Sequence, residues 1–153
     1  MKRYLMTSVF LFFVSLAFSE ELNPSQQKLF DEIFEFLKSE GYSPSVDSDG
    51  DIKFKASSRV YYINVAAVND HPMYICMAAY YEYSENFTKE NILAVMPDMS
   101  RKKFLKVWCH DKSYSIRAEI FLTNSYHFTA IFDKVLSYFS LFSSNLSELI
   151  SEL

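Results

Sequence analysis

The stretch VDSDGDIKF (Val46–Phe54) sets three carboxylates, Asp47, Asp49 and Asp51, around one glycine, Gly50. Its composition is that of a calcium loop, so spacing has to decide. An EF-hand-type loop needs acids at its first, third and fifth positions, glycine at the sixth and a bidentate Glu at the twelfth. Counted from Asp47, the glycine falls fourth and Ser58 twelfth. Counted with Gly50 as sixth, Ser45 comes first and Ala56 twelfth. Neither register supplies the ligands. Asp-Gly between strand-like residues is instead the pair that a type I′ hairpin turn asks for, because both central residues need positive φ. Beyond the turn, Ile52 and Phe54 alternate with Lys53 and Lys55, one apolar face and one charged. The segment opens a β-sheet.

Upstream of it, Asn23-Pro24-Ser25 has an N-cap followed by a proline suited to the first helical position. Leu29, Phe30, Ile33, Phe34 and Leu37 then recur at helical spacing, and Gly41 stands where a C-cap glycine belongs. Downstream, Asp51–Ala56 is followed by two further strand-like runs, Arg59–Ala67 and Met73–Tyr83. The third is apolar on both faces, which predicts a central strand covered on each side. Thr88 caps a second helix that Pro97 should kink or shorten. Lys103–Cys109 and Tyr114–Leu122 form a second strand pair about Asp111-Lys112. Leu105, Val107 and Cys109 share one face with Ile116, Ala118 and Ile120. Lys106, Arg117 and Glu119 share the other with Phe104, Trp108 and Phe121. From about Tyr126 to Leu153, residues Phe128, Phe132, Val135, Phe139, Phe142, Leu146, Leu149 and Leu153 step by four and three, a heptad seam. Ser143-Ser144-Asn145, weak helix formers, mark a place where that helix can bend.

The expected architecture is α+β: one antiparallel sheet of about five strands with helices packed on it, in the order α-β-β-β-α-β-β-α. The first nineteen residues read as a secretory signal peptide. Lys2 and Arg3 are followed by an apolar run from Leu5 to Phe18, with small residues at Ala17 and Ser19. That run is shorter than a membrane span needs. Residues 20–153 are then a single exported domain, periplasmic or secreted, with no membrane span once the signal is cleaved. Cleavage removes two basic residues and no acidic one, so the net charge of −4 becomes −6. Nucleic acids and anionic membranes both require a basic surface, and neither is expected as a partner.

Catalytic constellations are scarce. No GxSxG, HExxH or CxxC spacing occurs, and no cofactor or metal site is expected. A nucleophilic site would need His71, His110 or His127 to activate a Ser or Cys, with an orienting acid beyond. Cys76 and Cys109 lie in apolar strand-like runs, where they either pair or act as small buried hydrophobes. Aromatic residues are abundant, 15 Phe and 11 Tyr. Phe104, Trp108 and Phe121 on the half-charged face, with Phe139 and Phe142 on the last helix, form the candidate partner surface, since aromatics beside arginine compose binding hot spots.

The order of elements resembles the type III secretion chaperone-like fold, and within it the YbjN-type bacterial sensory-transduction-regulator family. The residues that carry the resemblance are Gly41-Tyr42-Ser43-Pro44, Asp47 to Phe54, Tyr61-Tyr62-Ile63, Asn69-Asp70-His71, Ala94 to Val107 and the Phe-rich final helix. The resemblance implies a small dimerising or protein-binding domain without chemistry of its own. The sequence thus predicts an exported, non-enzymatic domain that binds a protein partner or a second copy of itself. Two other readings remain: an apolar small molecule held between sheet and helices, for which Met73–Tyr83 is the motive, and an exported hydrolase.

Overall fold

The computed structural model describes residues 22–65, 73–101 and 104–153. The leader expected over 1–19, the end of the Arg59–Ala67 run, the Asn69-Asp70-His71 loop and Lys103 lie outside them. Helix α1 (Pro24–Ser39) begins with a reciprocal capping box: Asn23 Oδ1 accepts from the Gln26 amide at 3.0 Å, and Gln26 Oε1 accepts from the Asn23 amide at 2.9 Å. It ends as the sequence predicts. Gly41 takes φ +84°, its amide donates to Lys38 O, and the Tyr42 amide donates to Leu37 O. That double closure satisfies carbonyls that a helix end leaves open.

Six strands follow: β1 (Ser45–Val46), β2 (Ile52–Ala56), β3 (Arg59–Asn64), β4 (Tyr74–Glu82), β5 (Leu105–Cys109) and β6 (Ser113–Phe121). Helix α2 (Lys89–Met99) separates β4 from β5, and α3 (Ser125–Ser151) closes the chain. The strands form one antiparallel sheet in the order β1-β2-β3-β4-β6-β5. The α+β expectation stands, with β1 as the additional strand.

The hairpin at Gly50 has a different turn from the one its residues suggest. Among the described residues, positive φ outside glycine occurs only at Ser57, Ser58 and Phe104, so Asp49 does not take the conformation that a type I′ turn requires. Instead Asp47 folds its carboxylate back over the loop, accepting from the amides of Asp49 (2.9 Å) and Asp51 (3.0 Å). Gly50 alone turns left-handed, at φ +88°, and the Asp47 amide donates to Asp51 O. This is the three-residue hairpin loop with a glycine bulge. The two-residue loop with both φ positive lies one hairpin later, at Ser57 (48°) and Ser58 (66°), between paired Ala56 and Arg59.

All three helices cover one face of the sheet. Leu29, Ile33 and Leu37 of α1, Ile92, Val95 and Met99 of α2, and seven residues of α3 join Ile52, Phe54, Tyr61, Ile63, Ile75, Met77, Ile116 and Ala118 in one core. The buried residues of α3 are Phe128, Phe132, Val135, Phe139, Phe142, Leu146 and Ile150. The expected seam therefore holds to Leu146 and then moves to Ile150, leaving Leu153 69% exposed. Steps of four, three, four, three, four and four follow the 3.6-residue period of a straight helix on its own sheet, not the 3.5 of a coiled coil. The helix runs unbroken through Ser143-Ser144-Asn145, held on the sheet by buried Phe139, Phe142 and Leu146 on either side, while the hydroxyls of Ser143 and Ser144 donate to Phe139 O and Ser140 O. In α2, Pro97 sits in the last turn, where the helix is about to stop.

β4 is central, as predicted, but the helices cover only one of its faces. Among the described residues no helix packs on the other, which is open over these residues.

Candidate functional site on the open face of the sheet

Strand register fixes what the open face presents. Lys106 of β5, Arg117 of β6, Ala78 of β4, Tyr62 of β3, Lys53 of β2 and Ser45 of β1 stand side by side in one row. On one flank lies a row of Trp108, Ser115 and Tyr80. On the other lies Glu119, Cys76 and Asn64, continued by Asp51 through a 2.7 Å hydrogen bond from Asn64 Nδ2. Beyond that row, Phe121 pairs with Tyr74. Cations thus run across the middle, carboxylates beside them, and aromatic rings along both outer margins.

Arg117 is the hub. Its guanidinium carbon lies 5.6 Å from the Trp108 ring and 5.8 Å from the Tyr80 ring. Its Nε donates to Ser115 Oγ at 2.9 Å, and Nη2 reaches Tyr80 Oη at 3.5 Å. Among the described residues it forms no ion pair. Tyr80 meets Tyr62 edge to face at 5.4 Å, and Lys53 Nζ lies 5.8 Å from the Tyr62 ring centre. Each ring beside a cation at this range adds about 0.5–1 kcal/mol when exposed, and orders the side chains. Trp108 is nonetheless 52% exposed and Tyr80 48%.

Between these rows, above the small side chain of Ala78, lies a hollow of about 220 Å³ lined by Asp51, Tyr62, Asn64, Cys76, Ala78, Tyr80 and Arg117. Burial raises the Asp51 carboxyl above the usual carboxylate range. The Asn64 hydrogen bond opposes that rise, and the Asp47 and Asp49 charges add to it. Burial likewise pushes the Cys76 thiol up, against the pull of Arg117. A raised thiol pKa means less thiolate, the wrong direction for a nucleophile. Asn64 Oδ1 is buried without a hydrogen-bond partner among the described residues.

One pair has the outline of catalytic machinery. His110 Nε2 and Ser115 Oγ are 3.0 Å apart, the contact that a hydrolase reading requires. The surroundings turn it to structure. Ser115 is 0% exposed, so no substrate can reach its oxygen, and that oxygen already accepts the Arg117 Nε proton. An acceptor fixed by a cation is a weakened nucleophile, and no carboxylate orients His110 among the described residues. The His110 ring instead lies 6.0 Å from Tyr80 and completes the frame that holds Arg117. His127 starts α3, its amide donating to Asn124 Oδ1. His71 lies outside the described residues.

The structure separates the residues expected to form one partner surface. Trp108 lies on the open face. Phe104 does not: at φ +83° it breaks the alternation that leads into β5, and its ring packs 5.4 Å from Tyr138 of α3. Phe121, 61% exposed, sits at the far end of β6 from Trp108 and helps to line a groove with Phe104, Tyr138 and Ile131. Phe139 and Phe142 are 0% and 4% exposed, and belong to the chain's own core, so the last helix offers no such surface through them. The space between sheet and helices, expected to admit an apolar ligand, is filled by the chain's own rings. Phe54, Phe132, Tyr42, Tyr61 and Phe139 touch there at centroid distances of 5.3–5.8 Å. Cys76 and Cys109 are unbridged and face opposite sides of the sheet. No helix among the described residues is long and apolar enough to cross a membrane.

Sequence reasoning placed Arg117 and Trp108 together but missed Tyr80, Tyr62, Asn64 and Asp51. Alternation along β4 already puts Tyr74, Cys76, Ala78 and Tyr80 on one side. Alternation does not tell that no helix among the described residues covers this side.

No family model and no curated protein matches the chain. Among solved structures it is similar to the crystal structure of YbjN from E. coli, a candidate transcription regulator, with a TM-score of 0.52 and 11% identity over 80% of this chain and 88% of that one. That likeness shows the fold: the chain has a YbjN-like α+β architecture, as the order of its elements implied.

Proposed function

We propose that the chain is an exported, non-enzymatic binding module whose open sheet face receives a protein partner. The observation that carries this reading is the exposure of Trp108 and Tyr80 on either side of an arginine that has no carboxylate partner among the described residues. Trp, Tyr and Arg are the residues in which binding energy concentrates, and a bare aromatic patch of this kind is seldom left open on a monomer. The basic start and apolar run before Glu20 support export. The burial of Ser115 and the raised Cys76 thiol support a role without catalysis. Regulation of transcription belongs to the description of YbjN. At 11% identity only the fold carries across, and a net charge of −4 does not favour a nucleic-acid surface.

A photo-crosslinking residue at Trp108 tests the reading in expressing cells, with the same residue at Leu141 as the helix-side control; Leu141 is 58% exposed. Adducts from position 108 well above those from position 141 are expected. Equal or absent adducts from position 108 refute the use of this face.

A further inference from the structure

We infer that the partner is a second copy of this chain, docked face to face about a two-fold axis that runs between the cation row and the carboxylate row. The inference rests on the open face being the contact surface and adds the partner and the register. A closed dimer needs a patch that is complementary to itself when rotated by half a turn. Rotation about an axis lying in the interface along the rows keeps each strand over its own counterpart and reverses its direction.

The consequences can be read from the registers. On β6, Arg117 then stands against Glu119 of the second copy, and Glu119 against its Arg117. On β2, Lys53 stands against Asp51, and Asp51 against Lys53. On β4, Ala78 meets Cys76, two small side chains at the axis, while Tyr80 meets Tyr74 at the margins. On β6 the outer positions bring Phe121 over Ser115. On β6 and β2 the cation beside the axis meets a carboxylate in each case, while Lys55 of β2 and Lys106 of β5 lie outside these pairs. The same half-turn supplies an acid to Arg117, which has none within its own chain among the described residues. It also sets Lys53 over Asp51, whose carboxyl burial already raises.

Size predicts the strength. Rows spaced by two residues and strands by about 4.8 Å give the four rows roughly 500–600 Å² per copy. The pair would bury about 1,100 Å², near the lower limit for a specific interface, so the dimer should be weak, in the range of about 10–500 μM. The twist of the sheet keeps the match closest near the axis and loosens it toward β1 and β5.

Sedimentation of residues 20–153 up to about 1 mM, with charge reversals, tests the register. The wild type should dimerise, more weakly at high salt. R117E and E119R should each weaken self-association at least about tenfold. Mixed together they should associate at least as well as the wild type, because every facing pair is then opposite in sign. K53E and D51K on β2 repeat the test where R117E disturbs folding, as judged by circular dichroism. A strict monomer to about 1 mM overturns the second copy; crosslinks from position 108 to another protein would then leave the open face standing as the surface. Dimerisation that survives both single reversals, or mixtures that fail to associate, overturn the two-fold register.

Discussion

The turn at Ser57-Ser58 makes the sharpest energetic prediction in the fold. Both serines are held at positive φ, 48° and 66°, between the paired residues Ala56 and Arg59. An L-residue with a Cβ gives up about 1–2 kcal/mol in the left-handed region, because the Cβ crowds the following carbonyl oxygen. Both side chains are exposed, and neither hydroxyl makes a hydrogen bond among the described residues, so replacing them removes no contact. Ser58→Gly relieves the strain and gives back about 0.5–1 kcal/mol through the more flexible unfolded chain. The net expectation is a gain of about 0.5–1 kcal/mol. Ser57→Asn adds a smaller gain, since asparagine tolerates this region without glycine's entropic cost. With a urea slope of about 1–3 kcal/mol per molar, the double variant should shift the midpoint up by roughly 0.3–1 M at unchanged slope. Far-UV circular dichroism is the proper readout, because Trp108 is already half exposed in the native state and its emission reports unfolding poorly. Ser58→Val is the opposite control and should destabilise, a β-branched side chain being the least suited to this conformation. A midpoint that falls in S57N/S58G, or rises in S58V, refutes the assignment of strain to this turn.

Phe139→Ala should cost about 3–5 kcal/mol in urea unfolding, as a fully buried ring, while Trp108→Ala, which gives up only a half-exposed ring stacked on Arg117, should cost about 1 kcal/mol, separating core from contact surface. Gly41→Ala should cost about 1 kcal/mol through its φ of +84° alone, since an added Cβ would touch nothing within 4 Å; a thermal melt reads the loss. Asp51 holds its proton more tightly folded than unfolded, burial being the main cause, so the native state binds more protons above its ordinary value of 3.8. Its contribution to stability therefore falls as pH rises from 3.8 through the raised folded value. Urea midpoints across that window should show wild type losing ground to Asp51→Asn toward neutral pH. Tyr114 is pushed from 10.0 up to about 12 by burial, so its phenolate absorbance should lag the exposed tyrosines and stability should decline as pH rises above 10.0.

The helices, the paired strands and their order were legible because each rests on local physics. The Asn23 cap, the Gly41 close and the alternation Ile52-Lys53-Phe54-Lys55 need no partner to be recognised. The miss at Asp49-Gly50 is instructive for the same reason. Two turns accept that dipeptide, and the choice fell to the Asp47 carboxylate, which binds two amides of its own loop and spares Asp49 the left-handed conformation. Ser57-Ser58 went unread because serine carries no preference for positive φ. The strand pairing across Ala56 and Arg59 imposes it. The seam of α3 drifted by one residue at its end because a helix on a sheet keeps its own period, and only a second helix wound about it would have held Leu149 and Leu153 in line.

The site was less legible, and register is the reason. Arg117 and Trp108 could be placed on one face from β5 and β6, which are neighbours in sequence. Tyr80, Tyr62 and Asp51 come from strands brought beside them by pairings that no local pattern announces. β4 lies next to β6, with α2 and β5 between them in the chain. Apolar character on both faces of β4 suggested cover on both. Yet alanine, cysteine and tyrosine also suit a surface that is bare within one chain and closed between two. That ambiguity resolves only when the rows are laid out. A strand buried by its own helices has no use for an arginine held between a half-exposed tryptophan and a half-exposed tyrosine. Nor does it need carboxylates one row from cations on the same two strands. The alternation of sign from row to row, on β2 and on β6 alike, is what a self-complementary face requires.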